Sequence, residues 1–108
     1  MFDLTGQVAL VTGATHGLGM AVAMGLAEAG ATIVINGRSS REKIDQAEKE
    51  YAAEGVAAHA YQFDVTDPVE VLENIALIER EVGPIDILVN NAGIIKRIPV
   101  LEMSPEEW

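Results

Sequence analysis

The chain has no cysteine, which removes a disulfide framework, a thiolate zinc site and a cysteine nucleophile together. Its only histidines, His16 and His59, stand apart without metal-ligand spacing, so no metal is expected. Bases are scarce: 7 Lys and Arg face 17 Asp and Glu, for a formal net charge of −10. They are also scattered, with only Lys96 and Arg97 adjacent. A protein that reads a nucleic-acid backbone needs a basic face, so no nucleic-acid partner is expected. No apolar run approaches the roughly 20 residues of a membrane span. Met1 to Thr5 lacks the positive region and apolar core of a secretory signal. These absences lead to the expectation of a cytoplasmic protein with no membrane partner. With 108 residues, 49% apolar and 22% charged, the chain reads as one globular domain over residues 1–108.

What is present is organised around Thr12-Gly13-Ala14-Thr15-His16-Gly17-Leu18-Gly19. The apolar run Val8 to Val11 precedes it and the small-residue stretch Met20 to Ala29 follows, so strand, glycine turn and helix succeed one another. That is the layout of a phosphate cradle: a helix start offers unpaired N–H groups and a partial positive end. Gly13, Gly17 and Gly19 remove Cβ atoms where ligand and backbone must approach. The plainer alternative is an ordinary strand-to-helix turn that contains glycines.

The rest of the sequence supports the cradle. Gln7–Val11 reads as a buried strand, and Leu18–Ala29 as a helix buried on most sides and stopped by Gly30. Thr32–Ile35 is a second, β-branched strand ending at Asn36-Gly37-Arg38. A helix follows from Ser39 or Ser40, with Ser39 and Glu42 at capping-box spacing and Ile44, Ala47, Tyr51 and Ala52 as its apolar stripe. Val56–Phe63 is the third strand, ending at Asp64-Val65. Asp67-Pro68 opens a helix that buries Val71, Leu72, Ile75, Ile78 and Val82. Ile85–Val89 is the fourth strand and runs into Asn90-Asn91-Ala92-Gly93. Ser104-Pro105-Glu106-Glu107 starts another helix just before Trp108, so the chain looks cut. Alternating strands and helices imply an α/β, Rossmann-type, doubly wound parallel sheet of order 3-2-1-4, truncated after its N-terminal portion.

Each strand end then carries a candidate contact. No acid stands at the tip of the second strand, where an NAD-binding unit places one for the ribose 2′-hydroxyl. Gly37 leaves room for a 2′-phosphate, Arg38 can pair with it, and His16 adds a donor. That favours NADPH over NADH; otherwise Arg38 only begins a solvated helix face. Asp64 can accept from an adenine amino group, or serve in a cap beside Asp67. Asn90 and Asn91 can pin the neighbouring first-strand loop through Thr12, while Ala92 and Gly93 keep the cleft floor low. Lys96 and Arg97 stand where an anionic substrate would enter, with a solvated loop pair as the alternative. The expected cofactor contacts are Gly13, Thr15, His16, Gly17, Leu18, Gly19, Arg38, Ser39, Asp64, Val65, Asn91, Ala92 and Gly93, with Arg97 for substrate.

Thr12-Gly13-x-x-x-Gly17-x-Gly19, Asp64-Val65 and Asn90-Asn91-Ala92-Gly93, in that order, resemble the N-terminal half of a short-chain dehydrogenase/reductase, over essentially the whole chain. Within that family, Ile85 to Arg97 is similar to the gluconate 5-dehydrogenases, and the 2-dehydro-3-deoxy-gluconate 5-dehydrogenases look nearly as close. The tip Asn36-Gly37-Arg38-Ser39 is similar to NADP-dependent members of that group. The resemblance implies hydride transfer between NADP(H) and the C5 alcohol or ketone of a sugar acid such as gluconate. It also implies a homo-oligomer, and a Tyr acid/base supported by Lys, Ser and Asn in the second half of the fold. Neither Tyr51 nor Tyr61 is followed four residues later by Lys, so no catalytic residue is expected in this stretch. The alternative is a non-catalytic nucleotide-binding module. A P-loop kinase is excluded, because no Gly-Lys-Ser/Thr follows the glycines.

Overall fold

The computed structural model describes residues 3–38 and 40–91. Four strands, β1 (Val8–Thr12), β2 (Thr32–Gly37), β3 (His59–Gln62) and β4 (Ile87–Val89), form a parallel sheet of order β3-β2-β1-β4. Three helices connect them: α1 (Gly17–Glu28), α2 (Arg41–Ala53) and α3 (Pro68–Glu81). The expected strand order and the doubly wound, Rossmann-like arrangement are what the chain adopts.

The continuous apolar character of β1 follows from its having two buried faces. Ala9 and Val11 join Ile33 and Ile35 on one face, under Ala23 of α1 and Ala47 and Tyr51 of α2. Val8 and Leu10 join Val34 on the other, with Phe63 and with Ile78 of α3. Thr12 pairs with Asn36 and Asn36 with Tyr61, so the turns leaving β1, β2 and β3 rise from one edge.

Caps fix where the helices begin. Ser40 is the N-cap of α2 and accepts from Lys43 N at 3.4 Å. Ser39, the other candidate start, lies outside the described residues. Asp67 caps α3 by accepting from Val69 N at 3.0 Å, with Pro68 following it.

Several expectations change. β3 is shorter than Val56–Phe63, because Val34–Gly37 of β2 offers partners only to His59–Gln62. His59 therefore begins the strand, exposed, rather than lying in its middle. β4 starts at Ile87, but pairing continues before it: Asp86 Oδ2 accepts from Val8 N at 2.8 Å and Asp86 N donates to Val8 O at 2.9 Å. α1 is not buried on most sides: only Gly19 and Ala23 are, and Leu18 is 71% exposed, because one face alone meets the sheet. Leu72 and Ala52 also face outward, on the sides of α3 and α2 turned away from the sheet. No helix among the described residues is long and apolar enough to cross a membrane.

Candidate functional site

The chain leaves β1 through Gly13, whose φ of +62° suits glycine, and buries Ala14 and Thr15 behind the turn. α1 then opens at Gly17, again left-handed at φ +60°, and a Cβ there would meet nothing within 4 Å. The outer side of the turn is thus open. His16 occupies the N-cap position, but its side chain does not cap; its Nδ1 lies 3.1 Å from Thr15 Oγ1. No acid occupies the first turn of α1. An open, uncapped helix start without local negative charge fits an anionic group such as a pyrophosphate.

The inner side of the same turn is closed. A Cβ on Gly19 would run into the Gly13 carbonyl oxygen and lie 2.8 Å from Asn91 Nδ2. Asn91 Nδ2 itself donates to Gly13 O at 3.3 Å. Thr12 completes this latch: its hydroxyl donates to Asn90 Oδ1 at 3.0 Å and accepts from Asn91 N at 2.7 Å. The pinning of the turn by Asn90 and Asn91 through Thr12 is what the geometry contains.

Two buried side chains hold the turn from the other side. Gly13 N and Ala14 N donate to Asn36 Oδ1 and to Asn36 O, at 3.4 and 3.2 Å. Tyr51 of α2 donates its hydroxyl to Ala14 O at 2.7 Å.

At the tip of β2 the sequence reading needs correction. The space that a Gly37 side chain would take is not open. A Cβ there would lie 2.7 Å from Thr15 Cγ2 and 2.9 Å from Ile44 Cγ1, so the protein's own core fills that space. Arg38 is exposed and close enough to Asp64 for its charge to act on that carboxylate. Asp64 Oδ1 accepts from Thr66 Oγ1 at 2.6 Å and from Thr66 N at 2.8 Å. These two bonds, and then Arg38, hold its carboxyl below the usual range. The carboxylate keeps acceptor capacity beyond its bonds to Thr66. Its backbone N donates to Glu70 Oε1 at 3.1 Å, and neighbouring Val65 packs half-buried on the α3 side of the sheet.

A groove of about 350 Å³ runs from Thr15 and His16 along Lys43, Gln46 and Glu50 of α2. Lys43 makes no ion pair among the described residues, whereas Arg41 pairs with Asp45 at 3.1 Å. Among those residues no cluster of acids and histidines could hold a metal ion.

Residues 7–108 match the family described as short chain dehydrogenase. The chain belongs to that family. Among short-chain dehydrogenases it is 62% identical to the 2-dehydro-3-deoxy-D-gluconate 5-dehydrogenase of Formosa agariphila, over 100% of the chain and 41% of that relative. It is 50% identical to a 2-keto-3-deoxy-D-gluconate dehydrogenase from Streptococcus agalactiae, with a TM-score of 0.82 over 98% of the chain and 40% of that structure. A gluconate 5-dehydrogenase from Burkholderia cenocepacia, solved in complex with NADP and tartrate, is 47% identical, with a TM-score of 0.77 over 99% of the chain and 42% of that structure. The chain thus spans about two fifths of these short-chain dehydrogenases.

The fold brings Gly13 to Gly19, Arg38, Asp64 and Asn91 to one edge of the sheet. Ser39, Ala92, Gly93 and Arg97 lie outside the described residues, as does the helix start at Ser104. Neither tyrosine offers an acid/base group to this edge. Tyr51 is fully buried on Ala14, and Tyr61 donates to Glu81 Oε1 at 2.7 Å. Burial raises the pKa of both, against the direction that proton transfer near neutral pH requires. Sequence reasoning missed Asn36 and Tyr51 as holders of the turn. Asn36 had one available signal: a carboxamide in a β-branched strand is out of place unless bonded.

Proposed function

We propose that the chain is the cofactor-binding part of an NADP-dependent oxidoreductase acting on sugar acids of the gluconate type. The observation that carries this is the open, uncapped start of α1 beside Gly17, with Arg38 and Asp64 at the same sheet edge. In this reading the N–H groups of the glycine turn and Leu18 hold the pyrophosphate. Arg38 and His16 meet the 2′-phosphate, with Ser39 beside them. Asp64 and Val65 meet the adenine, and Asn91, Ala92 and Gly93 line the cleft floor. When bound, NADP(H) supplies the hydride acceptor or donor. The sugar-acid assignment is supported by the names of the relatives above, and Arg97 is the candidate contact for the substrate carboxylate. The intact protein is proposed to form homo-oligomers.

A cofactor titration of the full-length protein tests this. NADPH binds more tightly than NADH, and Arg38→Ala weakens NADPH by about tenfold to a hundredfold, the worth of a hydrogen-bonded charge pair, while leaving NADH unchanged. NADH binding as tightly as NADPH, or unchanged NADPH affinity in the variant, overturns the 2′-phosphate assignment. An intact protein that turns over neither gluconate nor 2-keto-3-deoxy-D-gluconate with NADP or NAD overturns the substrate class.

A further inference from the structure

We propose that Asn36 is a positioning residue for the cofactor, setting the height of the glycine turn against the ends of β2 and β3. This rests on the reading of the sheet edge as a dinucleotide cleft. Asn36 is fully buried, and its carboxamide spans elements distant in sequence. Nδ2 donates to Phe63 O at 2.8 Å, and Oδ1 accepts from Gly13 N at 3.4 Å. The orientation of the amide is forced. Phe63 O can only accept, so nitrogen must face it, and the oxygen is left for the Gly13 N–H. The main-chain oxygen of Asn36 takes the next amide, Ala14 N, at 3.2 Å.

One residue therefore meets two successive N–H groups of the turn and the last carbonyl before Asp64. A polar side chain in the interior of a sheet costs stability unless its bonds are met, and an aliphatic residue would pack there with less demand. The bonds it makes link the pyrophosphate end of the cleft to its adenine end. Because the pyrophosphate is common to NADPH and NADH, Asn36 governs affinity for both and selectivity for neither. That separates it from Arg38.

The test uses the full-length protein with NADPH, NADH and ADP as probes, well below the unfolding temperature of each variant. Asn36→Leu keeps the volume and removes both side-chain bonds. It weakens all three ligands by a common factor of about tenfold, with the NADPH-to-NADH ratio unchanged. Asn36→Thr, uncharged and suited to a strand, is too short to bridge Phe63 O and Gly13 N together, and decides the matter if the leucine variant does not fold. A folded variant that binds all three with native affinity, or that loses NADPH alone, overturns the inference. Failure of the unsubstituted protein to bind any of the three overturns the dinucleotide reading itself.

Discussion

Gly19→Ala lowers affinity for the proposed cofactor, NADPH, by about a hundredfold, because the methyl group has nowhere to go. Its nearest neighbours are the Gly13 carbonyl oxygen, the Asn91 side chain at 2.8 Å and, at 3.0 Å, Ala14 Cα. The first and the last are main chain and cannot rotate aside as the Asn91 side chain could. The turn must shift outward, which also pulls Gly13 O from Asn91 Nδ2. Helix propensity acts in the opposite direction, since alanine is worth ~1 kcal/mol over glycine inside a helix. The strain of overpacking, ~1–3 kcal/mol, exceeds or matches that gain, so stability falls slightly while binding falls steeply. Gly25→Ala is the control. Gly25 lies in the same helix, exposed, with nothing within 4 Å of its built Cβ, so propensity acts alone. It gains about 0.5–1 kcal/mol and leaves binding unchanged. Denaturant unfolding and NADPH fluorescence titration of the pair measure both effects. Equal outcomes at the two positions would remove the argument that Gly19 is required for close approach.

Tyr51→Ala is the largest expected loss of stability, ~3–5 kcal/mol by analogy with other buried aromatics. The side chain fills the core between α2 and the sheet and its hydroxyl satisfies Ala14 O. Tyr51→Phe separates the two roles. It keeps the ring but strands a buried carbonyl, at a cost of ~1–3 kcal/mol. Alkaline unfolding gives a second reading. Burial, and then the charge of Glu50, raise the Tyr51 pKa above the ordinary phenol value of 10.0. Burial and the bond to Glu81 push Tyr61 up to about 12. A pKa raised by folding contributes stability that is complete below the unfolded value and is lost as pH climbs through the folded one. Stability therefore falls from about pH 10 upward. Tyr51→Phe, though weaker at neutral pH, loses less over that alkaline range. A parallel decline in variant and unsubstituted protein would show that Tyr51 ionisation is not what alkali exploits.

The order of the sheet and the place of the glycine turn were legible because both rest on local pattern. β1 and β2 are apolar runs bounded by glycines, and Asp67-Pro68 announces α3 by capping chemistry alone. The holding of the turn was not legible. Asn36 reaches Gly13 and Phe63 over 23 and 27 residues, and Tyr51 reaches Ala14 over 37, distances at which no periodicity speaks. Gly37 was misread for a related reason. A glycine at a strand tip tells that a side chain is absent, but only the fold tells what fills the space, here Thr15 and Ile44. The exposure of Leu18 and Leu72 escaped prediction because apolar character does not say which side of a helix has a neighbour.

The position of β1 between β2 and β4 also sets a schedule for synthesis. The contacts of Asn36 and Tyr51 with the turn can form once α2 and the end of β3 have left the ribosome. The Thr12 latch waits for Asn90 and Asn91, 78 and 79 residues after it in the chain. Closing that longer loop carries the larger entropic cost and comes last. A nascent chain thus passes through a stage in which the cradle is braced on the β2 side alone. The turn is held from both sides only when β4 docks on β1.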